Sequence, residues 1–158
     1  MNTIAVAPDA ALAGLLPGAQ FADAYALDIA LPKLEARGAA ERIMARSPRW
    51  VAMLLALRNL VVAPLGLHTR PPSSPAGLGA LGIFPVLSQT PDRLVAGFDD
   101  SHLDFRVVID VTRRPERQRI TLTTLVLTHN RLGRAYLAAV LPFHRMIVRA
   151  MLRQARQA

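Results

Sequence analysis

Hydrophobic and polar residues alternate along several short stretches of this chain, which is the pattern of β-strands with one buried face. The first stretch covers about 22–31, and its apolar positions are Tyr25, Leu27, Ile29 and Leu31. Four more stretches follow later in quick succession, at about 81–88, 93–99, 103–112 and 118–129. Because the turns between these four are short, we expect antiparallel hairpins.

Helices are expected before and after this run of strands. Residues 39–46 predict a short helix, and Ser47-Pro48 then supplies an N-cap and a first-turn proline for a second helix that ends near residue 62. A long helix over 131–156 follows Asn130, which is a preferred N-cap residue. Its predicted inward stripe repeats at helical spacing: Leu132, Tyr136, Ala139, Phe143, Ile147 and Met151.

The second helix is apolar on almost every side, so the span 50–67 raises the question of a membrane crossing. A crossing needs about 20 apolar residues, yet Arg58 and Asn59 lie in the middle of the span and Pro64 near its end. An arginine at the bilayer centre costs about 2.5–3.5 kcal/mol. We therefore expect this helix to be buried in the domain or shared with a partner, such as a second copy of the chain in a homodimer. The Pro/Gly/Ser-rich loop 68–80 fits either a lid or a plain connector.

The composition indicates one folded domain. The chain has 158 residues, of which 52% are hydrophobic, and this is too apolar for a largely disordered protein. We divide it into a loosely attached N-terminal segment, residues 1–20, and a single domain over 21–158. The absence of cysteine excludes disulfides and thiolate chemistry. Residues 1–17 contain no Lys or Arg, so we expect no secretory signal and a cytoplasmic location.

Positive charge is concentrated in the last third of the chain. Residues 1–100 carry equal numbers of basic and acidic side chains, whereas 101–158 carry eleven arginines against three acidic residues and hold the whole net charge of +8. Four of these arginines predict a positive stripe on the last helix: Arg145, Arg149, Arg153 and Arg156. A solvated helix face and an anionic membrane surface both explain the stripe. Aromatic residues are only 5% of the chain, so we expect no nucleic-acid partner.

The order of these elements is similar to the helix-grip fold of the START and birch-allergen superfamily. Three stretches resemble more specifically a bacterial domain of unknown function, the 2867 family: GFDDSHLDFR at 97–106, THNRLGR at 128–134 and LPFHR at 141–145. The resemblance implies an α+β fold in which a curved antiparallel sheet wraps around a long C-terminal helix. It also implies an apolar cavity between sheet and helix, where members of the superfamily bind lipids, sterols or polyketides and some act as enzymes.

The densest group of polar side chains lies around one predicted hairpin turn: Asp99, Asp100, Ser101, His102, Asp104 and Arg106. Short side chains cap turns without any further function, and Asp104 and Arg106 share one strand face, where each can pair with a neighbour. The functional alternative makes His102 with Asp104 a general base, beside Arg106 holding an acidic substrate. The residues alone leave both interpretations open.

Two further polar positions lie at and within the last helix. His129, Asn130 and Arg131 mark the turn from strand to helix, where the free N–H groups of a helix N-terminus can bind an anion or simply be capped. His144 follows Pro142 and either satisfies a carbonyl that the proline frees or lies exposed as a base. The histidines lack the short spacings of metal ligands, and no phosphate-binding or dinucleotide-binding motif is present, so we expect no metal and no cofactor.

We therefore expect a non-catalytic binder of a hydrophobic or amphipathic small molecule, held in a cavity between the sheet and the C-terminal helix. The candidate ligand-binding residues are Arg106, His102, Asn130, Arg131, Tyr136 and Phe143. One alternative is an enzyme of the cyclase or hydrolase type in the same cavity, with His102 or His129 as acid/base and Asp104 as a further catalytic candidate. Another is a module that docks onto a protein or a membrane surface.

Overall fold

The computed structural model describes residues 2–30, 34–45, 64, 77–82 and 84–156. The strands in these parts of the chain are β1 (Ile4–Val6), β2 (Phe21–Ile29), β3 (Ala80–Leu81), β4 (Phe84–Gln89), β5 (Arg93–Asp99), β6 (Leu103–Arg113) and β7 (Gln118–Thr128). The helices are α1 (Ala36–Met44), α2 (Arg131–Gln154) and a short 3-10 helix at Ala10–Leu15. The helix expected to end near residue 62 and most of the loop 68–80 lie outside the described residues.

The seven strands form one curved antiparallel sheet in the order β1-β2-β7-β6-β5-β4-β3. The hairpins β4–β5, β5–β6 and β6–β7 pair neighbours in the chain, whereas β2 pairs with β7 across the length of the domain. The stretch 81–88, predicted as a single strand, is divided because Gly82 takes a left-handed φ of 61°. The predicted α+β class, a curved antiparallel sheet with a long C-terminal helix, is confirmed.

Each face of the sheet carries its own apolar core. On the helix side, which carries α1 and α2, Leu27, Ile109 and Ile120 pack with Val148 and Leu152 from α2. On the opposite or outer face, Leu12 from the 3-10 helix packs against alternate residues of the central strands. Within each strand, successive residues belong alternately to one core and to the other, as the period-two pattern requires.

The N-terminal segment 1–20 belongs to this fold, and the expectation that it is loosely attached is wrong. Residues Ile4–Val6 extend the sheet by pairing with β2. Leu12 and Leu16 are only 1% and 4% exposed, and they cover the outer face of the central strands. The segment packs against the sheet because the outer face has apolar residues that would otherwise be exposed to water.

The inward side of α2 differs from the predicted stripe. Gly133, Val148 and Leu152 are buried, whereas Phe143, expected to point inward, is 47% exposed. Ala139, another member of the predicted stripe, is exposed as well. The prediction was wrong because apolar residues occupy most of the circumference of α2, so periodicity alone does not select the buried side.

Ion pairs join neighbouring strands on the outer face. Arg119 on β7 donates from Nε and Nη2 to the two carboxylate oxygens of Asp28 on β2, at 2.8 and 2.9 Å. These hydrogen bonds from Arg119 lower the pKa of Asp28 below its usual value, and they raise the pKa of Arg119. Arg93 on β5 donates from Nε to Oδ1 of Asp110 on β6, and this hydrogen bond raises the pKa of Arg93. The Asp28–Arg119 pair thus joins residues 91 positions apart in the chain, whereas the Arg93–Asp110 pair joins two consecutive strands.

Asp28→Asn is expected to destabilise the protein at neutral pH by about 0.5–1 kcal/mol, because the two side chains of its pair with Arg119 are partly buried. Because the pKa of Asp28 is lowered on folding, its contribution is present above about pH 4 and is lost as the pH falls through the lower folded value. The difference between wild type and variant in urea unfolding should therefore shrink below pH 4. Asp92→Asn is the control, because its pair with Arg113 is exposed; an equal loss there, or a loss independent of pH, would contradict the argument.

Candidate functional site

A carboxylate and an imidazole meet between β2 and α2. Asp23 lies on the helix side of β2, and its Oδ1 is 3.1 Å from Nε2 of His144. The two side chains are only 19% and 14% exposed, so little water competes for the contact. Since the carboxylate accepts the hydrogen bond, Nε2 carries the proton and Nδ1 of neutral His144 is the nitrogen that can take another.

A buried hydroxyl lies beside this pair. Thr124 on β7 is directly opposite Asp23 in the β2–β7 ladder, which places the two side chains about 5 Å apart at their Cβ atoms. Thr124 is 1% exposed, and its Oγ1 has no hydrogen-bond partner within the described ranges. A buried hydroxyl without a partner costs about 1–3 kcal/mol, so such a group indicates a place where a polar atom can be received. Phe21 contacts the ring of His144 edge-on at 5.6 Å.

Aromatic side chains cover the neighbouring part of the same face. Phe84, Phe98 and Phe105 form a cluster with ring centroids 5.1–6.1 Å apart, and all three are only partly buried. The register aligns Phe98 with Phe105 and Phe105 with Val126, which in turn is opposite Phe21. An apolar row therefore crosses β5, β6, β7 and β2 over about 14 Å at the usual strand spacing.

The polar group lies in the next row of this surface. Val107 is opposite Thr124, and Thr124 is opposite Asp23, two residues along each strand from the aromatic row. We call Asp23, Thr124 and His144 the polar trio. Asp23 and Thr124 were not among the predicted site residues, because one acid and one threonine in alternating strands form no motif. The only signal in the sequence was an acidic residue on the apolar side of β2.

His102 and Asn130 instead build the start of α2. Asn130 Oδ1 accepts from the N–H of Gly133 at 2.9 Å, which is a helix N-cap. This orients Nδ2 toward His102 Nδ1, 2.9 Å away, so neutral His102 carries its proton on Nε2. The backbone N–H of His129 also donates to the His102 carbonyl. The β5–β6 turn is thereby joined to α2, as the capping alternative predicts.

His129, Asp104 and Arg106 lie on the outer face of the sheet. His129 Nε2 is 2.9 Å from Asp104 Oδ1, so Asp104 pairs with His129 and not with His102, the partner that the catalytic alternative gave it. Arg106 is 2.7 Å from Asp99 and donates to the carbonyls of Phe98 and Phe105. A position on the outer face does not allow Arg106 to contact a ligand between the sheet and α2.

The remaining predicted residues are spread along α2. Arg131 is exposed in the first turn, Tyr136 is partly buried, and Phe143 is exposed on the side of the helix that faces away from the sheet. Their predicted roles in ligand binding stay predictions. In the described part of the chain, no three His, Asp or Glu side chains converge as metal ligands would.

A shallow groove of about 600 Å³ opens on the outer face, between the end of β1 and strands β5, β6 and β7. Its floor includes Thr121 and Thr123, and its walls include Arg93, Asp110 and Arg119. Because these charges are already joined in the ion pairs with Asp28 and Asp110, the groove offers mainly hydroxyl groups. It is separated from the polar trio by the thickness of the sheet.

One protein-family model matches most of the chain. It carries the description "Protein of unknown function (DUF2867)" and covers residues 15–151, which include β2 to β7, the polar trio and α2 up to Met151. No curated protein matches the chain.

Proposed function

The chain belongs to the DUF2867 family of proteins of unknown function, and we propose that it binds a hydrophobic or amphipathic small molecule between the sheet and α2. The observation that carries this proposal is the combination of partly exposed aromatic side chains with the polar trio on one face. The order of elements supports the same conclusion, because it resembles the START and birch-allergen superfamily, whose members bind such ligands at this place.

The polar trio suits a neutral polar group at one end of the ligand. Thr124 Oγ1 can donate to a carbonyl of the ligand or accept from a hydroxyl, and the Asp23–His144 pair can form a second hydrogen bond with the same polar group. The Asp23 carboxylate disfavours an anionic head group at the same position. We therefore favour sterol-like or polyketide-like alcohols and ketones over fatty acids. The apolar row of about 14 Å would receive the body of the molecule.

Displacement of the neutral dye Nile red tests this binding. Wild-type protein should bind the dye, and a sterol alcohol should displace it at lower concentration than a fatty acid of equal length. Phe98→Ala should weaken sterol binding by at least about tenfold, because a buried phenyl ring contributes about 1.5–3 kcal/mol. Leu127→Ala is the matched control, since Leu127 packs against the core of the outer face. Failure of wild type to bind, or an equal loss in both variants, would count against the site.

A second candidate function is acid/base catalysis on the same ligand, and the Asp23–His144 pair favours it. A carboxylate that holds one imidazole nitrogen leaves the other to act as a base, as in several hydrolytic enzymes. Since His102 and His129 lie away from the polar trio, His144 is the better acid/base candidate of the three.

The cytoplasmic location stays a prediction.

His144→Gln distinguishes catalysis from binding. A ligand that co-purifies with the protein is identified by native mass spectrometry and then incubated with wild type and variant. Catalysis predicts a mass change in the ligand that wild type produces and that His144→Gln loses by at least about 100-fold, a loss larger than any fall in affinity from the altered polar contact. An unchanged ligand mass with wild type would leave binding as the function.

A further inference from the structure

The outer side of α2 is unusually apolar for a surface helix. Its 24 residues include an 18-residue window of mean hydropathy 1.3, of which only 11% is buried. By length and composition alone such a helix could cross a membrane. However, Val148 and Leu152 are part of the core on the helix side, so α2 cannot leave the sheet without exposing that core. If α2 contacts a membrane, it therefore lies along the membrane surface and does not cross the bilayer.

Two ridges run along this outer side. The apolar ridge consists of Ala139, Phe143, Met146 and Ala150, which follow one another at helical spacing. Phe143 and Met146 are 47% and 57% exposed, and they are two of the four exposed large hydrophobic side chains of the described chain. The basic ridge lies beside it and consists of Arg145, Arg149, Arg153 and Arg156, all of them exposed.

We propose that these two ridges of α2 dock the protein onto an anionic lipid surface. An apolar strip flanked by arginines is the arrangement of helices that lie in the membrane interface, since the strip enters the acyl boundary while the arginines extend to the head groups. The charge distribution agrees, because residues 101–158 carry eleven arginines against three acidic residues. A soluble polyanion would account for the arginines but not for Phe143 and Met146. This proposal does not depend on the ligand site on the other side of α2.

Vesicle sedimentation tests the docking. Wild-type protein should sediment with vesicles of phosphatidylcholine containing 30% phosphatidylserine and should bind pure phosphatidylcholine vesicles at least tenfold more weakly. Binding to the anionic vesicles should fall steeply between low and physiological salt, where exposed charges are screened beyond about 8 Å. No sedimentation with anionic vesicles at low salt would overturn the proposal.

Paired variants separate charge from apolar contact. Arg145→Gln with Arg153→Gln should weaken binding to anionic vesicles about 25-fold, because each basic residue near an anionic surface contributes about fivefold. Arg114→Gln with Arg117→Gln is the control, since these two arginines are exposed in the β6–β7 turn and do not belong to α2. Equal losses in both variants would show that net charge alone acts, and would overturn the assignment to α2.

Phe143→Ser with Met146→Ser should weaken binding at least tenfold at every salt concentration, whereas Leu78→Ser, an exposed apolar position elsewhere, should leave it unchanged. Unchanged binding by the Phe143/Met146 variant would mean a purely electrostatic contact and would overturn the proposal. A second result would also overturn the proposal: wild type forms a dimer in sedimentation equilibrium and does not bind vesicles, and the Phe143/Met146 variant is a monomer. A second copy of the chain would then cover the apolar ridge.

Discussion

Gly133→Ala should destabilise the protein by about 3 kcal/mol, the upper end of the cost of overpacking. The same replacement inside a helix ordinarily stabilises by about 1 kcal/mol. Here a Cβ on Gly133 would overlap the carbonyl oxygen of His102, which already accepts a hydrogen bond from His129. Because the obstacle is backbone, the start of α2 must move away from the β5–β6 turn and strain the Asn130 cap. Urea denaturation measures the change.

Gly38→Ala provides the matched control on α1. A Cβ on Gly38 would lie 3.7 Å from the nearest atom, Cδ2 of Leu34, which is an ordinary contact. This replacement should therefore stabilise the protein by about 0.5–1 kcal/mol, as helix propensity predicts. If both glycine variants gained stability, α2 would not begin in close contact with the β5–β6 turn, and the described geometry around His102 and Asn130 would be wrong.

Leu152→Ala should cost about 2–5 kcal/mol, as for other large-to-small changes in a core. Leu152 is fully buried and packs in the core on the helix side. Met146→Ala, six residues earlier on the same helix, should change stability by no more than about 0.5 kcal/mol, because Met146 is 57% exposed. Thermal and urea unfolding of the two variants measure the contrast.

The contrast decides how α2 is held. A large loss for Leu152→Ala alone means that the C-terminal half of α2 is anchored in the core, as docking of its outer side onto a membrane surface requires. A large loss for Met146→Ala would mean instead that the apolar ridge is covered within the folded protein. In that case Phe143 and Met146 would not be available to lipid.

The candidate site depended on contacts that no local pattern contains. Asp23 and His144 are 121 residues apart, and they meet only because β2 pairs with β7 and α2 then crosses the same face. Thr124 faces Asp23 through the register of that pairing, which is set by long-range packing. Conversely, the polar group around His102, Asp104 and Arg106 was conspicuous in the sequence because its members are neighbours in the chain. In the fold, Asp104 and Arg106 lie on the outer face of the sheet, whereas His102 contacts Asn130 at the start of α2.

Contacts between neighbouring residues are enough to predict the local elements of this protein. Period-two alternation located the strands from β4 to β7 to within a few residues, short turns required them to be antiparallel, and Asn130 marked the start of α2, because these features depend on neighbouring residues alone. The buried side of α2, in contrast, depends on long-range contacts with the sheet. Apolar residues lie on most sides of that helix, so the burial of Val148 and Leu152 and the exposure of Phe143 follow from how the sheet receives the helix. The polar trio also depends on long-range contacts, because sheet register and helix placement bring its three side chains together.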